Sequence, residues 1–179
     1  MYPVHITGST VVLREFSMQD VDDVLAIIGD DKVTTWLSFD SRNLDQAVAM
    51  IEGTLERAQQ NPRTEYYLAV TKHDDSRVIG FARIGFAGVK AGKLGYAIAA
   101  EQWGHGYATD AARTLTTFAF TQLGLHRVSA AIGPENAASI AMVENLGFTR
   151  EGVLRDHVYT NGAWRDSVLY SVLEHEWRS

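Results

Sequence analysis

The chain contains no cysteine, which excludes disulfides, thiolate nucleophiles and Cys-ligated metals. Proline is scarce, with 3 in 179 residues, and no Pro- or Ser-rich tract, internal repeat or low-complexity stretch marks a linker. No uninterrupted apolar run approaches the ~20 residues of a membrane span. The N-terminus, MYPVHITGSTVVLREF, lacks a basic segment followed by an apolar one, so it does not read as a signal peptide. A cytoplasmic protein without membrane contact is expected. Basic residues are in deficit: Lys+Arg 16 against Asp+Glu 22 gives a net charge of −6. That balance argues against a nucleic-acid partner, whose affinity would come largely from phosphate neutralisation. It suits neutral or cationic partners better, although a local basic pocket can hide inside an acidic total. The HExxH pattern is absent and Glu174-His175-Glu176 has no metal-ligand spacing, so no metal is expected.

What is present is the composition of an ordinary globular domain, 46% hydrophobic and 21% charged, able to bury a core without staples. At ~150 residues per domain the length predicts one domain over 1–179. The periodicity is mixed. Thr10–Phe16 reads as a β-branched strand, and Ser17 with Asp20 as a reciprocal cap for a helix carrying Val21, Val24, Leu25 and Ile28 on one face. A polar stretch with Trp36 and Phe39 leads to a second amphipathic helix from Leu44 to about Gln60. Tyr66–Thr71, Val78–Phe86 and Lys93–Ala99 read as strands, the first two joined by the turn-rich HDDSR. A long helix, Thr109–Leu123, ends at Gly124; a strand, Arg127–Ile132, follows; Asn136 caps a helix, Ala137–Leu146, stopped by Gly147. Val153–Tyr159 and Trp164–Leu173 close the chain as a hairpin turned by Asn161-Gly162, the strongest short hairpin signal there is. The resulting order, β-α-α-β-β-β-α-β-α-β-β, does not alternate strand and helix. It disfavours a doubly wound nucleotide fold and predicts an α/β (α+β) mixed sheet with helices on both faces.

Two strand-to-helix junctions carry the chemistry. In Trp103-Gly104-His105-Gly106-Tyr107-Ala108-Thr109-Asp110, two glycines let consecutive N–H groups turn inward. The helix that follows adds its own unpaired N–H groups and positive dipole end, an anion cradle suited to a pyrophosphate. A P-loop would need GxxxxGK[ST], and a Rossmann fingerprint would need Gly or Ala where Thr109 stands; neither fits. Taken alone, the segment is more simply a strand-to-helix turn with glycines for steric reasons. The second junction, Gly133-Pro134-Glu135-Asn136-Ala137-Ala138-Ser139, is by itself simple capping. The two together, separated by only a helix and a strand, are more informative than either.

The ordered set of motifs resembles the GNAT superfamily of acyltransferases, close to its RimJ/RimL-like branch of ribosomal-protein N-terminal acetyltransferases. The resemblance runs from Val12-Leu13-Arg14 through Leu94-Gly95-Tyr96, the Trp103–Thr109 loop, Leu123-Gly124-Leu125-His126-Arg127 and Pro134–Ser139. It continues through Glu144-Asn145-Leu146-Gly147-Phe148, Glu151-Gly152, Leu154-Arg155-Asp156 and Asn161-Gly162 to Glu176-Trp177. It implies a mostly antiparallel sheet whose central strands splay apart to admit the pantetheine arm of acetyl-CoA. Ile98 would offer backbone groups to that arm, and Gly104, His105, Gly106, Tyr107, Ala108 and Thr109 would enclose the pyrophosphate. Asn136 would bond the pantetheine, and Ser139 would lie near the thioester sulfur as candidate general acid, a role it shares with plain helix capping. The superfamily loop usually opens with Gln or Arg; Trp103 stands there, a marker of the branch. His105 is either a cationic phosphate contact or a solvated loop residue.

The reaction implied is direct attack of a neutral amine on the acetyl carbonyl, through a tetrahedral oxyanion, with the thiolate leaving. An α-amine with pKa ~8 needs less help from a base than a lysine near 10.4. Relatives can place a Glu on the strand before the loop or before the hairpin turn, but Lys93 and Val158 occupy those positions. Glu15, Asp40, Asp156 and His157, acting through water, remain as candidate bases. Trp36 and Phe39 either wall the acceptor pocket or pack in the core, and Tyr96 faces either the thioester or the core. Asp156 and Asp166 more simply tie the hairpin together. The acceptor is expected to be a protein or peptide α-amine. The alternatives are a small amine such as an antibiotic, amino acid or polyamine, or no turnover at all in an acyl-CoA-binding sensor; a nicotinamide oxidoreductase is remote. A homodimer paired through the C-terminal strands is compatible with this reading but leaves no unique sequence mark.

Overall fold

The computed structural model describes residues 1–178. Eight strands are present: β1 (His5–Thr7), β2 (Val11–Arg14), β3 (Glu65–Lys72), β4 (Asp75–Phe86), β5 (Ala91–Ile98), β6 (Arg127–Ile132), β7 (Thr149–Thr160) and β8 (Ala163–Leu173). They form one sheet in the order β1-β2-β3-β4-β5-β6-β8-β7. Every neighbouring pair is antiparallel except β5 and β6. That pair is parallel because a helix, α4 (Tyr107–Thr121), carries the chain back between them. The remaining helices are α1 (Val21–Ile28), the single turn α2 (Asp31–Thr34), α3 (Leu44–Ala58) and α5 (Ala137–Asn145). None is long and apolar enough to cross a membrane.

Side chains alternate across a strand, so the sheet buries two separate cores. On one face Leu68 and Val70, Ala82 and Ile84, and Leu94 and Ile98 meet Ala111, Ala112, Leu115 and Ala119 of α4, with Val143 of α5 closing the layer. On the other, the cross-strand row Ala69, Phe81, Ala97 packs under Val24, Ile27 and Ile28 of α1 and Ala47 and Ile51 of α3. The expected architecture of a mixed sheet with helices on both faces is the one observed.

Several boundaries moved for identifiable reasons. The first helix opens with a tight turn, Met18–Asp20, because Asp20 has a second task. Its carboxylate accepts from the Ser17 N–H, as the cap pattern predicts, and also receives a two-pronged bond from Arg14 with both contacts at 2.9 Å. Burial alone would raise the Asp20 pKa, but the Arg14 hydrogen bonds and those from Ser17 outweigh it and hold the carboxyl below its ordinary range. The long helix starts at Tyr107, two residues early, because the loop ends at a left-handed Gly106. The hairpin strand β7 starts at Thr149 and is interrupted. Leu154 pairs with Ser167 and Val158 with Arg165, so residues 155–157 bulge opposite Asp166. The Asp156 N–H, at φ 47°, donates to Asp166 at 2.9 Å, the hairpin tie expected of that pair. At the tip, Asn161 and Gly162 have φ of 51° and 74°, the positive pair that a two-residue turn of this kind requires.

Candidate active site

β5 and β6 are paired only over Ala91–Lys93 and Arg127–Ser129, and then diverge. The Ala99 N–H bonds Ile79 of β4, and hydrogen-bonding direction alternates along a strand. The backbone groups of Tyr96 and Ile98 therefore face the opening gap. One of them is already used: the Trp103 indole N–H donates to the Ile98 carbonyl at 2.8 Å. The aromatic at the head of the loop thus pins the loop to the strand and leaves the Ile98 N–H as that residue's group for a ligand.

The loop itself turns through Gly104 and Gly106, at φ 80° and 78°, conformations that side chains with a Cβ rarely adopt. Nothing lies within 4 Å of where a Cβ would sit at either position, so the space a ligand needs is open. Gly106 is the N-cap of α4 and supplies no side-chain acceptor, which leaves the first N–H groups of a 15-residue helix unpaired and aimed outward. Asp110, in that first turn, does not compete. It turns away to accept the N–H groups of Ser9, Thr10 and Val11, at 3.2, 2.6 and 3.1 Å, and the Thr10 hydroxyl. Burial opposes ionisation of Asp110, but those bonds prevail and its pKa is lowered. This anchor, which fastens the N-terminal hairpin to the cradle helix, was invisible in the sequence because its partners are backbone groups a hundred residues away.

Across the gap, Asn136 caps α5 by accepting the Ser139 N–H at 3.2 Å, which leaves its amide NH₂ uncommitted to the cap, and both residues line the cleft. The Tyr96 hydroxyl is buried and has no hydrogen-bond partner among the described residues. Burial pushes its pKa up, partly offset by the nearby Ser139 hydroxyl, with which it does not reach hydrogen-bond geometry. An orphaned buried donor of this kind is costly unless a ligand completes it. The diverging strands, the uncapped helix, the open space at both glycines and this hydroxyl fit acetyl-CoA.

One continuous cleft of about 1690 Å³ links these groups to the opposite face of the sheet. Of the expected site residues, Trp36, Phe39, Tyr96, Ile98, Trp103 and Gly104 line it, as do the run Gly106–Thr109, Asn136 and Ser139. His105 does not. Its ring stacks on Tyr107 at 5.6 Å and lies 3.2 Å from the Gln102 carbonyl, an exposed place in the loop rather than a wall of the cleft.

The candidate bases separate clearly. Glu15 is spent in a buried ion pair with Arg63 at 2.7 Å, Asp40 accepts the Asn161 N–H at 2.8 Å, and Asp156 lies in the bulge outside the cleft. His157 alone of the four lines it, brought inward by that bulge, with Nδ1 held 3.0 Å from the Ser167 hydroxyl. The sequence reading missed Glu65 altogether. This buried carboxylate at the start of β3 is shared by Arg57 and Arg83, the latter at 2.6 Å. Burial would raise its pKa, but the two guanidinium hydrogen bonds dominate and lower it. The available signal was Arg83 itself, a charge interrupting the otherwise apolar run IGFARIGF.

The family model of the acetyltransferase (GNAT) domain matches residues 10–149. An uncharacterized N-acetyltransferase of Bacillus subtilis, YoaA, is 30% identical over 97% of this chain and 98% of its own length. The [ribosomal protein uS5]-alanine N-acetyltransferase of Escherichia coli is 29% identical over 63% of this chain and 59% of its own. Among solved structures, Mycobacterium smegmatis RimJ in complex with CoA-disulfide superposes with a TM-score of 0.87 at 24% identity, covering 99% of this chain and 91% of that one. The chain belongs to the GNAT family of acetyl-CoA-dependent N-acetyltransferases, with relatives in its RimJ/RimL-like branch.

Proposed function

We propose that this acetyltransferase acts on the α-amine of a protein or peptide N-terminus. The observation that carries the reading is the cleft itself. It is open and passes through the sheet from the cradle to the α1–α3 face, and at about 1690 Å³ it exceeds the ~300–1,000 Å³ of a typical small-ligand pocket. It has room for a cosubstrate at one end and a chain entering from the other. The similarity to a ribosomal-protein alanine N-acetyltransferase supports the same acceptor class.

In this assignment the N–H groups of Gly104 and Gly106–Thr109 receive the pyrophosphate, and the Ile98 N–H and the Asn136 amide receive the pantetheine arm. Bound acetyl-CoA supplies the activated acetyl group. Trp36 and Phe39 wall the acceptor path. His157, acting through water, takes the proton of the incoming amine, and imidazole is the side chain most often found in that role. Ser139, beside a Tyr96 phenol kept protonated by burial, gives a proton to the departing thiolate.

The test is dye-detected thiol release from acetyl-CoA across peptides with free N-termini and a panel of small amines, with no protein thiol to add background. Peptide-dependent release is expected. A higher kcat/KM for polyamines or antibiotics than for any peptide would overturn the acceptor assignment. Ser139→Ala should lower kcat by about tenfold or more while leaving acetyl-CoA affinity within about twofold; equal losses would reduce Ser139 to a cap.

A further inference from the structure

The acceptor end of the cleft carries a charge opposite to that of the whole protein. On the α3 side of the sheet, residues in register across β3, β4 and β5 form two rows: Glu65, Gly85, Lys93 and, one step on, Tyr67, Arg83, Gly95. Arg57 of α3 and Arg42, stacked over the Phe39 ring at 4.0 Å, complete the wall. Four cationic side chains therefore line the cleft against two carboxylates, Glu65 and Glu135, and Glu135 belongs to the cofactor junction beside Asn136. The remaining acid, Glu65, is already saturated. Both its oxygens are taken by guanidinium groups, so it neutralises one of the two arginines that grip it.

The surplus is presented to a ligand. The Arg83 side chain is 47% exposed and meets Glu65 through Nε and one terminal nitrogen, which leaves its other NH₂ unpaired. Lys93 is exposed and makes no ion pair among the described residues. Beside Arg83 the floor is open, because nothing lies within 4 Å of where a Cβ of Gly95 would stand. The Tyr67 phenol, held protonated by burial, adds a neutral donor in the same row. These cations are not the phosphate site. Lys93 is five residues back along β5 from Ile98, roughly 17 Å at the rise of a strand, and the cradle lies beyond Ile98.

We infer that the acceptor carries a carboxylate close to its reactive α-amine, bound by Arg83 with Lys93, Arg57 and Arg42 around it. This rests on the α-amine reading above and names its substrate class. A guanidinium fork recognises a carboxylate in a planar, two-pronged geometry, whereas a polyamine entering the same end would meet several like charges and no free acid. The carboxylate is either that of an acidic residue at the start of a peptide or that of a free amino acid.

The experiment compares kcat/KM for three tripeptides differing only at the second residue, Ala-Asp-Phe, Ala-Asn-Phe and Ala-Lys-Phe, with free aspartate and spermidine as further acceptors. The Asp peptide should exceed its isosteric Asn partner by up to about tenfold and the Lys peptide by more, since the pair is charge-assisted and a bound peptide would cover part of the half-exposed guanidinium. Arg83→Gln should shrink the Asp/Asn ratio to about two or three, with partial recovery in Arg83→Lys. Lys93→Gln, which disturbs no ion pair, should also narrow it. Free aspartate turned over as well as the Asp peptide would identify an amino acid as the source of the carboxylate; peptide turnover alone would identify a chain. Equal rates across the Asp, Asn and Lys series, or a preference for Lys or spermidine, overturn the inference. Equal rates leave the α-amine reading intact, while turnover of spermidine with no peptide acetylated at all overturns both.

Discussion

On the proposed cofactor side of the cleft, most of the groups offered to a ligand are backbone amides, supplied by two junctions, residues 98–109 and 136–139. On the proposed acceptor side they are side chains, drawn from β3, β4, β5, α3, the loop around Trp36–Arg42 and the β7 bulge. The difference matters because a backbone cradle is specified by local conformation. Glycines at positive φ and an uncapped helix start are enough, and such a cradle would read almost any pyrophosphate alike. A surface of side chains is specified by how distant strands come into register, and each substitution there changes what is recognised.

The largest loss is expected at Asp110, which fastens the N-terminal hairpin to the helix of the proposed cofactor half. Asp110→Ala strands three N–H groups and a hydroxyl and should cost about 3 kcal/mol in urea denaturation, since an unsatisfied buried group costs ~1–3 kcal/mol and water reaches part of this segment. The wild-type side chain also sets a pH dependence. Its folded pKa lies below the unfolded value of ~3.9, so its contribution is complete above about pH 4 and is lost as pH falls through the folded value. A pH series of melts should show the wild type losing stability in that acid range more steeply than the variant.

Next comes the cradle. Gly106→Val meets no atom at its Cβ, so it acts through φ 78° and through the phosphate space it fills. A cost of ~1–3 kcal/mol predicts about 5- to 150-fold weaker acetyl-CoA binding by calorimetric titration, with an unchanged circular dichroism spectrum. A normal affinity would mean that the cradle is not the pyrophosphate site. The smallest effect is expected on the other side. Asp40 ties the acceptor loop to the hairpin tip through the Asn161 N–H, next to the Arg165 bond to the Thr35 carbonyl at 3.0 Å. Asp40→Ala should raise the acceptor KM about threefold and leave acetyl-CoA affinity unchanged, the value of one exposed hydrogen bond.

The elements legible in the sequence were those with local causes. β6 spans Arg127–Ile132 and α3 starts at Leu44, both at the positions expected, and Asn161-Gly162 makes the turn its dipeptide demands. Elements with no local cause were missed. The three-residue β1 exists only because β2 offers it an edge. Of the residues the motifs singled out, Gly104, Gly106–Thr109, Asn136 and Ser139 line one cleft. His105 did not reach the cleft, because its ring found Tyr107 first. Glu65 escaped notice because a charge at a strand end looks solvated until two arginines, from α3 and β4, close over it.

The sequence by itself determined the local conformation of the two strand-to-helix junctions. Their glycines and helix starts follow one another along the chain and a backbone turn is specified by its own residues, while the Asp110 anchor that fixes one of them in place is tertiary. The acceptor half was decided by the tertiary structure. A chain with net charge −6 suggests a cationic substrate, and only the register of β3, β4 and β5 under α3 gathers Arg57, Arg83 and Lys93 at one end of the cleft. A binding site responds to the charge within a Debye length of it, about 10 Å at ordinary salt, rather than to the total.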